Sequence, residues 1–249
     1  MNVEIFEEID YYFRQSLNLI VYAYEQIKKD KLDRPYSRCS IYETISKVRN
    51  SIKSRNDIED FLRNDMVDNY LKRLRHLFNL DYFSIQSGVE ESDQNVKVGI
   101  VDIKFELISA TILDGTSFVF ECKRINKYAE SLNAYIKAGM MRFIRSQYYP
   151  GSRMALAGMI AFVEVDLKKE PGGYLHVDQV AERLQQKINA QNNTLKTTSK
   201  FFPYKLTHKK YAEVSNFKYS YLSKHIRSKD NKEISIHHLL LDYYDILVS

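Results

Sequence analysis

Ser117-Phe-Val-Phe-Glu121-Cys122-Lys123-Arg124-Ile125 is the stretch on which the fold turns. Apolar residues run through it, so it reads as a strand. Alternation then puts Glu121 and Lys123 on one face and Cys122 on the other. Just upstream, Val98 to Ile108 reads as a second strand, in which Asp102, Lys104 and Glu106 alternate with Val101, Ile103, Phe105 and Leu107. Two neighbouring strands therefore offer carboxylates on a shared side. Such a pair supplies hard oxygens for Mg²⁺, and an adjacent ammonium can orient a water or offset charge growing on a phosphate.

The flanks of this stretch complete a pattern. Asp57 can cap a helix whose buried side is Phe61, Leu62, Met66, Tyr70, Leu71, Leu74 and Phe78. Tyr82 to Ser87 is strand-like, and a helix from about Tyr128 to Tyr148 follows the quoted stretch. Pro150-Gly151 ends that helix, and Met154 to Val165 is the continuous apolar run of a strand covered on both faces. The order is α-β-β-β-α-β.

Gly99-Ile-Val-Asp102-Ile and Phe120-Glu121-Cys122-Lys123-Arg124, set in that order, resemble the two halves of the PD-(D/E)xK signature of restriction-endonuclease-like nucleases. The resemblance spans roughly Asp57 to Asp166. It implies an α/β fold with an αβββαβ core, a mixed central sheet flanked by helices, and a metal-dependent endonuclease that hydrolyses DNA in bacterial restriction or anti-phage defence. It further implies Asp102, Glu121 and Glu59 as ligands of Mg²⁺, with Mn²⁺ as a substitute, and Lys123 as the catalytic lysine. Val101 stands where the name-giving proline would be. Acid-x-Lys also occurs at Asp102-Ile-Lys104, Asp166-Leu-Lys168 and Asp230-Asn-Lys232, but only Glu121-Cys-Lys123 lies inside an apolar strand after another acid-bearing strand.

Register is open at this level. A two-residue turn at Asp114-Gly115 would set Glu106 opposite Lys123, whereas a longer loop from about Ser109 to Asp114 would set Asp102 opposite Glu121. Asp102 is preferred, with Glu106 as the substitute.

The remaining chain divides into an N-terminal helical extension (1–55), the core (56–170) and a C-terminal helix and strand extension ending in a β hairpin (171–249). Phe6, Ile9, Phe13, Leu17, Ile20, Tyr24 and Ile27 mark one long amphipathic helix. Ser40-x-x-Glu43 has the spacing of a capping box opening a second. Val177 to Ala190 reads as a further helix, Gln191 to Lys200 as a mobile polar stretch, and Ala212 to Arg227 and Ile234 to Leu247 as strands. Gly139 and Gly158 invite close packing of helix on strand.

The formal net charge of +5 is unevenly spread. Seven cations face two acids between Glu121 and Arg153, and nine face two between Lys200 and Lys232, the footprint of a phosphate-backbone binder. Arg124, Lys127, Arg142 and Arg145 are the expected nucleic-acid contacts. DNA is the expected partner. A homodimer is expected on symmetry grounds, since cutting two strands takes two sites, with the first helix as its contact. Other subunits of a defence system are a further expectation, and a non-catalytic DNA-binding or scaffolding subunit of the same fold is the rival reading.

Neither His237-His238, which alternate across a strand, nor Cys39 and Cys122 make a metal or disulfide motif. His225 and Arg227 sit two apart on an expected strand edge that faces nucleic acid or plain solvent. Phosphate-binding glycine loops, serine-hydrolase elbows and zincin motifs are absent from the sequence. No apolar run reaches the ~20 residues a bilayer requires. The acidic opening MNVEIFEEID is unlike a secretory leader, so a cytoplasmic protein without membrane association is expected.

Overall fold

The computed structural model describes residues 3–49, 57–93, 96–108, 116–126, 129–146, 155–164 and 175–248. In chain order the elements are α1 (Val3–Lys31), β1 (Tyr36–Ser37), α2 (Arg38–Arg49) and α3 (Asp57–Asp65). A π-helical turn (Met66–Leu71), α4 (Lys72–Leu74) and a 3₁₀ turn (Arg75–Phe78) continue α3 without a break. Then come β2 (Phe83–Asp93), β3 (Val96–Leu107), β4 (Ser117–Ile125), α5 (Ala129–Ala134), a second π-helical turn (Tyr135–Met140), α6 (Met141–Ile144) and β5 (Leu156–Val163). The chain closes with α7 (Val177–Ala190), α8 (Asn192–Leu195), β6 (Thr197–Pro203), α9 (Ala212–Ser215), β7 (Ser220–Ile226), β8 (Glu233–Asp242) and β9 (Leu247–Val248).

The molecule is mixed α/β, with one seven-stranded sheet in the order β2-β3-β4-β5-β8-β7-β6. β4, β5 and β8 run parallel, and the outer pairs on both sides are antiparallel. β5 lies between two parallel neighbours and is buried from Ala157 to Val163, which is why its sequence is continuously apolar rather than alternating. Gly158 faces Phe120 across the β4–β5 ladder. A Cβ there would come within 2.0 Å of the Phe120 ring, so the glycine is what lets that ring lie over β5.

Helix α1 is part of the core rather than an appendage. Phe13, Leu17, Leu19, Ile20, Val21, Ala23 and Ile27 are fully buried. The Phe13 ring stacks on Phe120 and meets Phe118 and His237 edge-on, which seats α1 across the face of β4 and β8. The Tyr24 hydroxyl donates to the Asp242 carbonyl at 2.8 Å. The middle of this helix is thus occupied by its own sheet, and the dimer contact expected of it has no exposed apolar stripe there.

The C-terminal strands are likewise not an added hairpin, because β8 pairs directly with β5 and completes the sheet. The opposite face is covered by the α5–α6 helix, with α7 beside it through a Lys187–Asn133 hydrogen bond of 3.0 Å.

Three local expectations shift. Helix α2 starts at Arg38, and its cap is Ser37, whose Oγ accepts from the Ser40 amide, one turn before the capping-box site. The polar stretch after Gln191 holds α8 and the edge strand β6, whose only fully inward side chain is Phe201. Within Ala212 to Arg227, the first residues form α9 and only Ser220–Ile226 is strand. Pro171-Gly172-Gly173, Asp166-Leu-Lys168 and residues 147–150 lie outside the described residues. No helix among the described residues is long and apolar enough to cross a membrane.

Candidate active site

The β3–β4 ladder pairs Glu106 with Ser117 and Ile103 with Phe120, so the tight turn is excluded and Asp102 comes level with Glu121. At that point the ladder changes character. The Cys122 amide donates to the Asp102 carboxylate, Oδ2, at 2.7 Å, so an acceptor on the side chain stands in for one on the backbone. Glu106 lies four pairs farther along and forms a partly exposed ion pair with Lys104.

Lys123 is the hub. Its Nζ lies 2.8 Å from Glu121 Oε1, 3.2 Å from Glu59 Oε1 and 3.5 Å from Asp102 Oδ2, and it donates to the Cys122 carbonyl. Three carboxylates singled out from the sequence, on α3, β3 and β4, therefore surround the Lys123 ammonium. Glu59 reaches in because α3 lies against β4, where its other oxygen accepts from the Arg124 amide at 2.9 Å.

Two guanidiniums close the cluster. Arg63, one turn after Glu59 on α3, donates to Asp102 Oδ1 at 2.8 Å and is steadied by Asp60 and Asn64. Gly88, with φ of +63°, lies beside this guanidinium; a Cβ there would sit 3.5 Å from Arg63 Nη2. Arg142, on α6, donates to Glu121 Oε1 at 2.9 Å and to the Ile100 carbonyl. Gly139 brings that helix close enough for the contact, since a Cβ there would collide with the tip of Met159.

The electrostatics follow from burial. The Glu121 side chain has no exposed surface, and burial together with the neighbouring Asp102 pushes its pKa up to about 7 against the pull of Lys123 and Arg142. Burial also raises Glu59. For Lys123, burial alone would lower the pKa, but Asp102, Glu121 and Glu59 outweigh it and hold the amine protonated. Lys123 is thus held as a cation.

The chain matches no protein-family model, no curated protein and no solved structure. What the site can do is argued from its own donors.

Asp102, Glu121 and Glu59 supply hard oxygens of the kind a divalent ion such as Mg²⁺ takes, and a buried carboxylate with a raised pKa is stabilised by any added positive charge. The same oxygens are at present turned toward Lys123, Arg63 and Arg142. Among the described residues no group of three or more His, Cys, Asp or Glu side chains converges in ligating geometry. The donor chemistry therefore suits a divalent ion, and binding one requires the ammonium and the Arg142 guanidinium to yield carboxylate oxygens.

The expected nucleic-acid contacts separate in space. Arg142 points at Glu121. Arg145 is exposed at the end of the same helix. Arg124 turns inward to the fully buried Glu164, which Arg38 also meets at 2.8 Å, so this guanidinium neutralises a buried carboxylate instead of facing a phosphate. Lys127 lies outside the described residues. His225 and Arg227 are 0% and 1% exposed and are not at a surface edge of either kind.

Sequence reasoning did not find Arg63. Its one signal is the i, i+4 spacing from Glu59, which places both on one side of α3.

Proposed function

We propose that this chain is a metal-dependent endonuclease that hydrolyses DNA phosphodiester bonds on a PD-(D/E)xK-type core. The observation that carries the reading is the convergence of Glu59, Asp102, Glu121 and Lys123 from three elements on a single point. The run α3-β2-β3-β4-α5/α6-β5, antiparallel through β4 and then parallel to β5, supports the corresponding αβββαβ core.

In this reading Asp102 and Glu121 would hold Mg²⁺ or Mn²⁺, with Glu59 completing the outer coordination. When bound, the ion would polarise the phosphate and activate water. Lys123, kept cationic by its carboxylates, orients the attacking water and offsets charge on the phosphorane-like transition state. Arg145, exposed at the end of the helix that carries Arg142, is suited to backbone phosphates. The proposed setting in cytoplasmic restriction or anti-phage defence follows from the family resemblance.

The test is incubation of the purified chain with supercoiled plasmid, and in parallel with RNA, in Mg²⁺, Mn²⁺ or EDTA. Metal-dependent cutting that is lost in Asp102→Asn, Glu121→Gln and Lys123→Ala, each shown folded by circular dichroism, supports the assignment. Cutting that survives in Lys123→Ala overturns it.

A second reading has its own observation: three carboxylates are matched by three cations, Lys123, Arg63 and Arg142, as in a purely structural network. A folded chain that shifts duplex DNA without cutting it, alone or with neighbouring gene products, would make this the better account.

A further inference from the structure

Arg142 makes the least enclosed of the cationic contacts in the cluster. Its side chain is 35% exposed, against 9% for Arg63 and 13% for Lys123, and it rises from α6 at the rim rather than from a strand or helix beneath. Its Nη1 meets Glu121 Oε1 at 2.9 Å, the oxygen that Lys123 also holds at 2.8 Å, and the same nitrogen reaches the Ile100 carbonyl at 3.4 Å. Glu121 is the most buried carboxylate of the set, so a cation beside it is worth more than a surface pair. A long, partly exposed side chain anchored in a helix can leave such a partner when a stronger cation arrives, and it stays within reach of whatever anion follows.

We infer that Arg142 is an exchangeable internal counter-ion: it holds Glu121 in the resting site, yields that oxygen when a divalent ion binds, and is thereby released to the nucleic-acid backbone. Arg142 is on this account a positioning residue for Glu121 in one state and a phosphate contact in the other. Metal binding and DNA binding are coupled through one guanidinium. The inference rests on the metal-dependent reading given above and adds the order in which groups change partners.

The experiment titrates Mn²⁺ into the full-length chain without nucleic acid, read by electron paramagnetic resonance or calorimetry, for the parent, Arg142→Gln and Glu121→Gln. Removing the competing cation should tighten Mn²⁺ binding roughly tenfold, the equivalent of about one charge-assisted hydrogen bond, while Glu121→Gln should weaken it. A short duplex titrated by fluorescence anisotropy gives the second half. Arg142→Gln should match the parent in EDTA. In Ca²⁺ it should bind several-fold more weakly, with a salt slope smaller by about one phosphate contact.

Unchanged or weaker Mn²⁺ binding in Arg142→Gln, with Glu121→Gln still impaired, overturns the exchange and leaves the metal site standing. Absence of Mn²⁺ binding in the parent overturns both. Should Arg142→Gln fail to fold by its thermal melt, Arg142→Lys is read in its place, with the same directions and smaller amplitude expected.

Discussion

The Cys122 amide and the Asp102 carboxylate are hydrogen-bonded at 2.7 Å, so a side chain of β3 takes a ladder bond just where that strand reaches the site. Asp102 thereby has a structural task besides any chemical one, with Arg63 on its other oxygen. Replacing it by asparagine keeps the shape but removes the charge that Arg63 and Lys123 face. Asp102→Asn should lower stability by about 2–4 kcal/mol, as for breaking a buried ion pair, measured as a shift of the urea midpoint, and should abolish cutting in the same preparation.

Removing the hub should have a pH signature. Lys123→Ala takes a counter-charge from Glu59 and Glu121, whose pKa values burial already raises, so the ionised forms of these two are further disfavoured. The variant should melt closer to the parent at pH 5, where the carboxyls can protonate, and well below it at pH 8. Equal deficits at the two pH values would show that these two carboxylates do not share this ammonium.

Glu121 sets a second pH dependence. Its pKa, raised to about 7 in the folded chain, means that the folded state holds a proton the unfolded state has released above about 4.5. The stability this group contributes is therefore present below about pH 4.5 and lost as pH rises through 7. Mn²⁺ binding and cutting should run the opposite way, rising toward a plateau above pH 7. Glu121→Gln should flatten the stability trend and remove the activity.

A buried chain of hydrogen bonds across β7 and β8 gives a prediction independent of the site. His225 Nδ1 faces the Leu195 carbonyl at 3.1 Å, an acceptor, so Nδ1 carries the proton and Nε2 must accept from Ser223. The Ser223 oxygen then accepts from His238 Nε2–H, and His238 Nδ1 accepts from the Tyr135 hydroxyl. Nitrogen-15 spectra should show neutral His225 as the Nδ1–H tautomer and His238 as Nε2–H.

Burial lowers the pKa of His225 to about 4 and of His237 to about 3. These groups destabilise the fold as pH falls from about 6.5 toward 4, by roughly 3 kcal/mol for His225 alone. Urea midpoints recorded at pH 7 and pH 5 check the sign, with Glu121→Gln as background so that the opposite trend of that carboxyl is absent.

Gly158 in β5 and Gly139 on the helix over it should behave differently. Gly158→Ala would drive a Cβ into the Phe120 ring at 2.0 Å, and that ring is itself stacked on Phe13. It should cost about 3 kcal/mol or prevent folding. Gly139→Ala meets the flexible end of Met159 and should cost under about 1.5 kcal/mol. Thermal melts of the two variants decide the contrast.

Elements with a strong period or a continuous apolar run were legible before the structure. β4 and α7 fall on the residues the pattern marked, and β5 is the apolar run shortened at both ends. The meeting of Glu59 with Glu121 and Lys123 is what the family resemblance implies, and it comes about because α3 packs against β4.

What was not legible was non-local. The place of α1 depends on Phe13 finding Phe118 and Phe120, more than a hundred residues away, and amphipathicity alone does not say which surface an apolar stripe will cover. β6 escaped notice because an edge strand buries almost nothing and so carries little hydrophobic pattern. Arg124 looked like a phosphate contact until Glu164, forty positions on, supplied the buried carboxylate it neutralises.

The short parallel bridge between Tyr36–Ser37 and Leu247–Val248, with Tyr24 hooked to Asp242, clasps the two extremities of the described chain together. A fragment cut to 56–170 would strip one flank of β5 of its neighbour and uncover the rings over which α1 lies. Dissection into a minimal core piece should therefore yield insoluble material, and any tag, fusion or crosslinking scheme has to respect a body that is stitched shut from both directions.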